Sequence, residues 1–377
     1  MRGRQIVEKQ NQITRINETH YNVNSQSRKI QYDIVATEFG WSCSCKDYQF
    51  RKVCCKHIHA VEISNRMHQK VKEDVIMSEV TIDSCKYCKS EKISKMGIRH
   101  NKNHDVQMYH CNDCKRKFSI NLGFERMRAS PDQITIAMNL HFNGESLRKT
   151  AQSLKLIGIN VTHKTVQNWI KKYVELMDDY LEKITPQVGD NWRTDEIYLK
   201  IKGDRKYLFA MLDSETRFWL AQMVSEHKGN DDVTPMFKNA KKMAGKVPST
   251  LISDGAANFH HAWKQQYRAK NFLHKDTEHH RHIHMAGDMN NNPMESFNGN
   301  TVRLREQSMR GIKKSDSPIF KGMRIHHNYI RPHQGLNGDT PADRAGIRVL
   351  CNNKWKTIIQ NAAKSDLPTL HSENDLP

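Results

Sequence analysis

The chain has 377 residues, 60 Lys and Arg against 41 Asp and Glu, and a formal net charge of +19. That length allows two or three domains with cores of their own, and the charge points to a polyanionic partner without separating DNA from RNA. No apolar run approaches the roughly 18 residues of a membrane helix, and the polar opening MRGRQIVEKQ lacks the apolar stretch of a signal peptide, so a cytoplasmic location is expected. Nine cysteines, an odd number in CxC and CxxC spacings, read as metal sites in a reducing compartment and not as a disulfide framework.

Residues 1–70 hold the first cluster, WSCSCKDYQFRKVCCKHIHAV. Cys43, Cys45, Cys55 and His57 supply three thiolates and an imidazole, a soft tetrahedral set for a structural Zn²⁺ with no open position. KIQYDIVATEFGWSC predicts a strand pair leading into the ligands, and KHIHAVEISNRM the helix that follows. This CxC…CxH module resembles a SWIM-type zinc finger. Cys54 competes with Cys55 as a ligand, and His59 competes more weakly.

Residues 71–129 hold the second cluster. Cys85 and Cys88, then Cys111 and Cys114, form paired CxxC knuckles with 22 residues between them, the spacing of a zinc ribbon with its own structural Zn²⁺. DVQMYHC and KRKFSI fit the strands of such a ribbon. Lys115, Arg116 and Lys117 beside a knuckle either meet phosphates or form a solvated face. Cys351 has no partner in the sequence and reads as a plain thiol.

Residues 130–185 carry helix punctuation. Ser130-Pro131 marks a start, Asn143-Gly144 a stop, Ser146 a cap for a second helix, and Thr162 or His163 the opening of a third. Leu147, Ala151 and Leu154 fall on one side of the second helix, and Val166, Ile170 and Val174 share a side of the third. Three such helices with a polar last helix resemble a helix-turn-helix, which places His163, Lys164, Gln167 and Asn168 as candidate DNA contacts.

Residues 186–348 alternate β-rich and helical runs. In NWRTDEIYLKIKG, Asp195 has the parity of Ile197, Leu199 and Ile201, while Glu196 points with Tyr198 and Lys200 and reads as a solvated strand residue. KYLFAML and FWLAQMV continue the sheet as antiparallel strands. A helix, DDVTPMFKNAKKMA, then leads to STLIS, which ends at Asp254. The simplest crossover makes that strand parallel to the first and sets Asp254 beside Asp195. This β-β-β-α-β order is that of the ribonuclease H-like fold. Glu295, among Asn290, Asn291, Asn292 and Asn298, opens a later helix and completes a triad. Three carboxylates are the hard oxygen set for two Mg²⁺, with Mn²⁺ able to stand in, serving in-line displacement at a phosphodiester. Asp288 is a lesser alternative to Glu295. The run HHRHIH is expected to hydrogen-bond DNA or its own histidines more readily than a metal.

WRTDEIYLKIKGDRKYLFAMLD, LISDGAANFHHAW, EHHRHIHMAGDMNNNPMESFNG and YIRPHQGLNGDTPADRAG, in that order, resemble the prokaryotic insertion-sequence DDE transposases of the IS-six and IS-two-forty group. The resemblance covers about residues 130 to 346. It implies that Asp195, Asp254 and Glu295 are the metal-holding catalytic triad and that Arg303, or Arg305 beyond it, is the basic residue past the glutamate. The 40 residues between Asp254 and Glu295 and the doubled zinc equipment depart from the group's pattern. From Arg303 to Arg331 the basic side chains, including Arg305, Arg310, Lys313, Lys314, Lys321 and Arg324, are candidates for phosphate contact. The closing RPHQGLNGDTPADRAG is assigned no catalytic role.

The expected architecture is a multidomain α+β chain. It comprises two small zinc modules, a helix-turn-helix, a ribonuclease H-like α/β catalytic core with a mixed sheet, and a polar tail over 349–377, disordered after Asn361. The expected function is a transposase that binds the ends of its mobile element and target DNA, at the nucleoid when bound, as a homodimer or higher oligomer. The alternatives are an inactive DNA-binding regulator and a nuclease without strand transfer.

Overall fold

The computed structural model describes residues 6, 12–16, 20–25, 30–37, 40–51, 53–70, 74–100, 105–119, 121–201, 203–268, 277–281, 291–303 and 317–365. The chain divides into two compact units, residues 1–73 with 269–275, and residues 74–268 with 276–377.

In the first unit, β1 (Ile13–Arg15), β2 (His20–Asn24), β3 (Gln31–Thr37) and β4 (Gly40–Cys43) form an antiparallel meander. The strand pair expected before the cysteines is β3–β4, and two further strands extend it. Helices α1 (Lys46–Arg51) and α2 (Lys56–Lys70) follow. Tyr21, Val23 and Ile34 of the meander and Ile58 and Val61 of α2 close a small apolar core beside Cys43, Cys45 and Cys55.

The second unit opens with β5 (Val75–Ser78), then the ribbon strands β6 (Ile93–His100), β7 (Asp105–Cys111) and β8 (Lys117–Ser119). Three helices come next: α3 (Pro131–Phe142), α4 (Leu147–Leu156) and α5 (His163–Leu181). Each starts where its cap predicts. Ser130 forms a capping box with Gln133, and Ser146 and Thr162 accept from Lys149 N and Thr165 N. The second half of α5 is the surprise, for Tyr173, Val174, Met177 and Leu181 run on into the main core.

The central sheet contains β9 (Asn191–Ile201), β10 (Asp204–Asp213), β11 (Trp219–Ser225), β12 (Thr250–Ser253) and β13 (Glu278–Arg281), in the order β11-β10-β9-β12-β13. The first three are antiparallel, and β12 lies parallel to β9 after the crossover helix α6 (Asn230–Ala244). That order and those directions define a ribonuclease H-like core with a mixed sheet. Helix α6 buries Val233, Met236, Phe237 and Ala240 on one stripe, as its spacing predicts, and α7 (Ala257–Gln266) packs beside it. Helix α8 (Asn292–Phe297) continues as a π-helical stretch, Asn298–Arg303. Helix α9 (Pro318–Ile325) passes into a second π stretch, His326–Ile330, and α10 (Pro341–Arg344), β14 (Ile347–Leu350) and α11 (Lys354–Ser365) end the described chain.

Two expectations are corrected here. Residues 349–365 are no tail: β14 pairs in parallel with β5, and α11 buries Trp355, Ile358, Ile359 and Ala362 against α3 and α5. The polar stretch SDLPTLHSENDLP begins only at Ser365, and the apolar stripe lies before it. The residues after 365 lie outside the described set. Lys321 and Arg324 are likewise not free for phosphate. Both lie 2.7 Å from Asp178, whose side chain is only 1% exposed, so they tie α9 to α5. Arg324, 14% exposed, forms a buried pair with Asp178, and removing either partner strands the other; Lys321, 47% exposed, joins it from the rim.

Candidate active site

Three constellations of potential metal ligands converge among the described residues, each with ligand atoms within 4.8 Å of one another: Cys43, Cys45, Cys55 and His57; Cys85, Cys88, Cys111 and Cys114; and Asp195, Glu196 and Asp254.

In the first, His57 Nδ1 stands 3.9 Å from Cys43 Sγ and 3.8 Å from Cys55 Sγ. Cys55 is buried and Cys54 exposed, so the structure brings Cys55 to the cluster; His59 turns away to Glu62 at 3.3 Å. The Cys43 side chain is the foremost cause holding the Cys55 thiol low, and the same contact pushes Cys43 up, so the two sulfurs share one proton between them. In the second, Cys85 and Cys114 are 3.7 Å apart and Cys88 and Cys111 3.5 Å. The Cys114 backbone N–H is the foremost cause lowering Cys111 to about 6. Lys115, Arg116 and Lys117 are exposed, with Arg116 5.1 Å above the Tyr87 ring.

The acidic cluster follows from strand register. Ile252 of β12 pairs with Arg193 of β9, so Asp254, just past the strand end, arrives beside Asp195. Gly255 turns the chain there at φ 91°, a left-handed conformation that favours glycine, and Arg281 Nε donates to its carbonyl at 3.2 Å. Asp195 Oδ1 accepts from Glu196 N at 2.8 Å, and Oδ2 accepts from Asn298 Nδ2 at 2.9 Å. Asn291 Nδ2 donates to the Thr194 carbonyl at 3.4 Å. The asparagines around Glu295 therefore lash helix α8 to β9; Asn298 positions Asp195, where the sequence suggested Glu295, and Asn290 is outside the described residues. Glu295 is exposed on α8 and lies outside the 4.8 Å group. Its charge still reaches Asp195.

Burial is the foremost cause raising Asp195 to about 7 from the ordinary 3.8, with the charges of Glu196, Asp254 and Glu295 adding to it. A raised carboxylate favours the folded state in acid and costs stability as pH rises through about 7, unless a cation compensates. Divalent binding should thus weaken as pH falls below about 7, because the cation must displace a proton. Mn²⁺ titrations at several pH values check this, and an affinity flat across that range would refute it.

Glu196 is the residue that strand parity missed. Its side chain is 8% exposed, not solvated, and pairs with Lys228. Because β12 pairs with β9 only as far as Arg193, β9 is hydrogen-bonded to β10 alone from Asp195 onward among the described strands. Glu196 keeps the Tyr198 side of the strand, as parity gives, but Lys228 comes from 32 residues away in the chain to cover it, and no local pattern signals that.

His279 and His280 lie on the edge strand β13, and His279 meets Ser253 Oγ at 2.9 Å and the His260 ring nitrogen at 3.2 Å. His282, His284 and Asp288 lie outside the described residues. His163, Lys164, Gln167 and Asn168 are all exposed near the start of α5, with Lys164 Nζ donating to Gln167 Oε1 at 3.1 Å. Arg303 is exposed at the end of the π-helical stretch; Arg305, Arg310, Lys313 and Lys314 fall outside the described residues.

The ribonuclease H-like sheet carries Asp195 and Glu196 within its first strand and Asp254 just past the end of its fourth, which is an oxygen donor set for a divalent metal. Residues 189–331 match the family model of a DDE domain, and residues 32–65 that of a SWIM zinc finger. The chain thus carries a DDE domain, which implies a divalent metal, and a SWIM finger, which implies zinc. It is similar to two Staphylococcus aureus proteins, the transposase for insertion sequence-like element IS431mec and the transposase for insertion sequence element IS257 in transposon Tn4003. Each is 28% identical over 138 residues, covering 34% of this chain and 62% of the relative. The match therefore spans less than two thirds of those relatives. Among solved structures, the HTLV-2 integrase catalytic core domain in complex with magnesium aligns at TM-score 0.32 and 16% identity, over 43% of this chain and 98% of that one. A simian T-cell lymphotropic virus intasome chain aligns at TM-score 0.32 and 16% identity, over 56% of this chain and 70% of that one. No helix among the described residues is long and apolar enough to cross a membrane.

Proposed function

We propose that the protein is a DDE transposase that binds the ends of a mobile element, cleaves DNA and joins the ends to a target. The observation that carries this reading is the register that sets Asp254 beside Asp195, with Glu295 on a helix lashed to the same strand. Asp195, Asp254 and Glu295 hold the divalent cations, two Mg²⁺ or Mn²⁺ by their oxygen chemistry. The donor set fits, since carboxylate oxygens of Asp195, Glu196 and Asp254 lie within 4.8 Å of one another and Glu196 Oε2 is buried with no hydrogen-bond partner among the described residues. Bound cations supply charge neutralisation for in-line displacement at a phosphodiester. Asn298 holds Asp195 at the strand, and Arg281 holds the turn after Asp254. No protein nucleophile is needed.

In this reading His163, Lys164, Gln167 and Asn168, exposed near the start of α5, would enter a DNA groove, and Arg303, Arg305, Lys313 and Lys314 would contact phosphates. Two structural zincs, one per cysteine cluster, organise the end-binding modules. Pairing two DNA ends requires at least two protomers.

Mg²⁺-dependent joining of a labelled element-end oligonucleotide to plasmid DNA tests this reading. Joined product is expected from the zinc-loaded wild type with Mg²⁺ and none without it. End binding with neither cutting nor joining would overturn the assignment in favour of a DNA-binding regulator. Cutting without joining would favour a nuclease.

A further inference from the structure

We propose that Glu196 is a fourth carboxylate ligand of the metal centre, with Lys228 gripping one of its oxygens so that the other faces the site; this rests on the metal-centre reading above. Two independent observations converge on it. Glu196 offers an oxygen within the 4.8 Å group formed with Asp195 and Asp254. Its side chain is 8% exposed, one oxygen pairs with Lys228, and Oε2 is buried with no hydrogen-bond partner among the described residues. A buried carboxylate oxygen left unpaired is costly, and such orphans mark places where an absent ion completes the shell.

Lys228 is built to hold this arrangement. Its ammonium sits 4.9 Å from the Tyr198 ring centroid and 5.0 Å from that of Tyr207, and those two rings lie 5.0 Å apart. Two aromatic faces and one carboxylate oxygen surround the cation, which fixes it without drawing on Asp195 or Asp254. Arg205 covers Tyr198 from 5.3 Å and completes the platform. Lys228 is thus a positioning residue, and Glu196 the ligand. The arrangement also gives Lys228 a reason to sit beside an acid cluster without neutralising it.

The test is Mn²⁺ titration of the full-length, zinc-loaded protein, read by the EPR signal of free Mn²⁺. Asp195→Asn defines which binding belongs to the centre. Glu196→Gln is expected to weaken that component by about 10-fold or more, the scale on which metal sites respond to lost partners. The double variant Glu196→Gln/Lys228→Met leaves no buried charge unpaired, so it keeps the test open if the single variant folds poorly, and it should weaken binding to the same extent. Wild-type Mn²⁺ affinity in either variant, with binding lost in Asp195→Asn, would overturn the role of Glu196 alone and make it a mere counter-ion of Lys228. Unchanged binding in Asp195→Asn would overturn the metal centre, and this proposal with it.

Discussion

Glu295→Gln should stop strand joining while leaving the fold and end binding intact. The side chain is exposed on α8, so an amide of the same shape disturbs no packing. The helix is held by other means: Met294 and Phe297 are buried, Phe297 sits edge-on to Trp219 at 4.7 Å, and Asn298 bonds Asp195. What the substitution removes is one negative charge facing a strand that already carries Asp195 and Glu196. Even partners one shell removed from a metal cost about 10- to 100-fold when lost, so a direct ligand should cost more than about 100-fold in joining. The joining assay gives the rate, and a gel-shift titration shows whether the ends are still bound. A variant that joins at wild-type rate would remove Glu295 from the triad and turn attention to the neighbouring acids.

Stripping zinc should unfold the ribbon while the catalytic sheet persists. Among the described residues the ribbon's core is small: Cys85, Cys111 and Phe118 are buried together, with Ile82, Ile93, Tyr109 and Cys114 packed partly against them, and Val106 is buried apart from that cluster. Strand β6 is exposed along nearly its whole length. So little apolar burial cannot offset the entropy of ordering the module, whereas a structural zinc contributes about 10–16 kcal/mol of apparent binding energy. The catalytic sheet needs no such help, since Trp192, Leu208, Phe209, Met211, Trp219 and Phe237 lie in one continuous core. Hydrogen exchange after chelation should show protection lost over residues 93–119 and kept over β9 to β12. Metal analysis should find two zincs in the wild type and one in Cys111→Ser. Ribbon amides that stay protected without metal would mean that the thiols alone hold the knuckles.

Much of this molecule could be read from the chain. Both cysteine clusters were legible because zinc ligands are delivered by tight local turns, where spacing and geometry are nearly the same thing. Ser130, Ser146 and Thr162 marked helix starts because a cap is a contact three residues long. Alternation in Asp195–Ile201 identified a strand with one apolar face. The crossover rule then brought Asp254 to Asp195, because handedness and strand order leave few alternatives.

The remainder depended on where distant segments end and meet. Glu196 looked solvated by parity, and Lys228, 32 residues away in the chain, covers and pairs it. Lys321 and Arg324 looked like phosphate contacts, and a single buried Asp178 on a helix far away in sequence claims both. Asn298 looked like a companion of Glu295 and proved to hold Asp195 across 103 residues of chain. The supposed tail closes the core because β5 offers β14 a partner. Ligand spacing, capping and periodicity are local and survive in a one-dimensional pattern. Which charge a buried group meets is decided by the packing of elements remote in sequence, so only the tertiary structure assigns it.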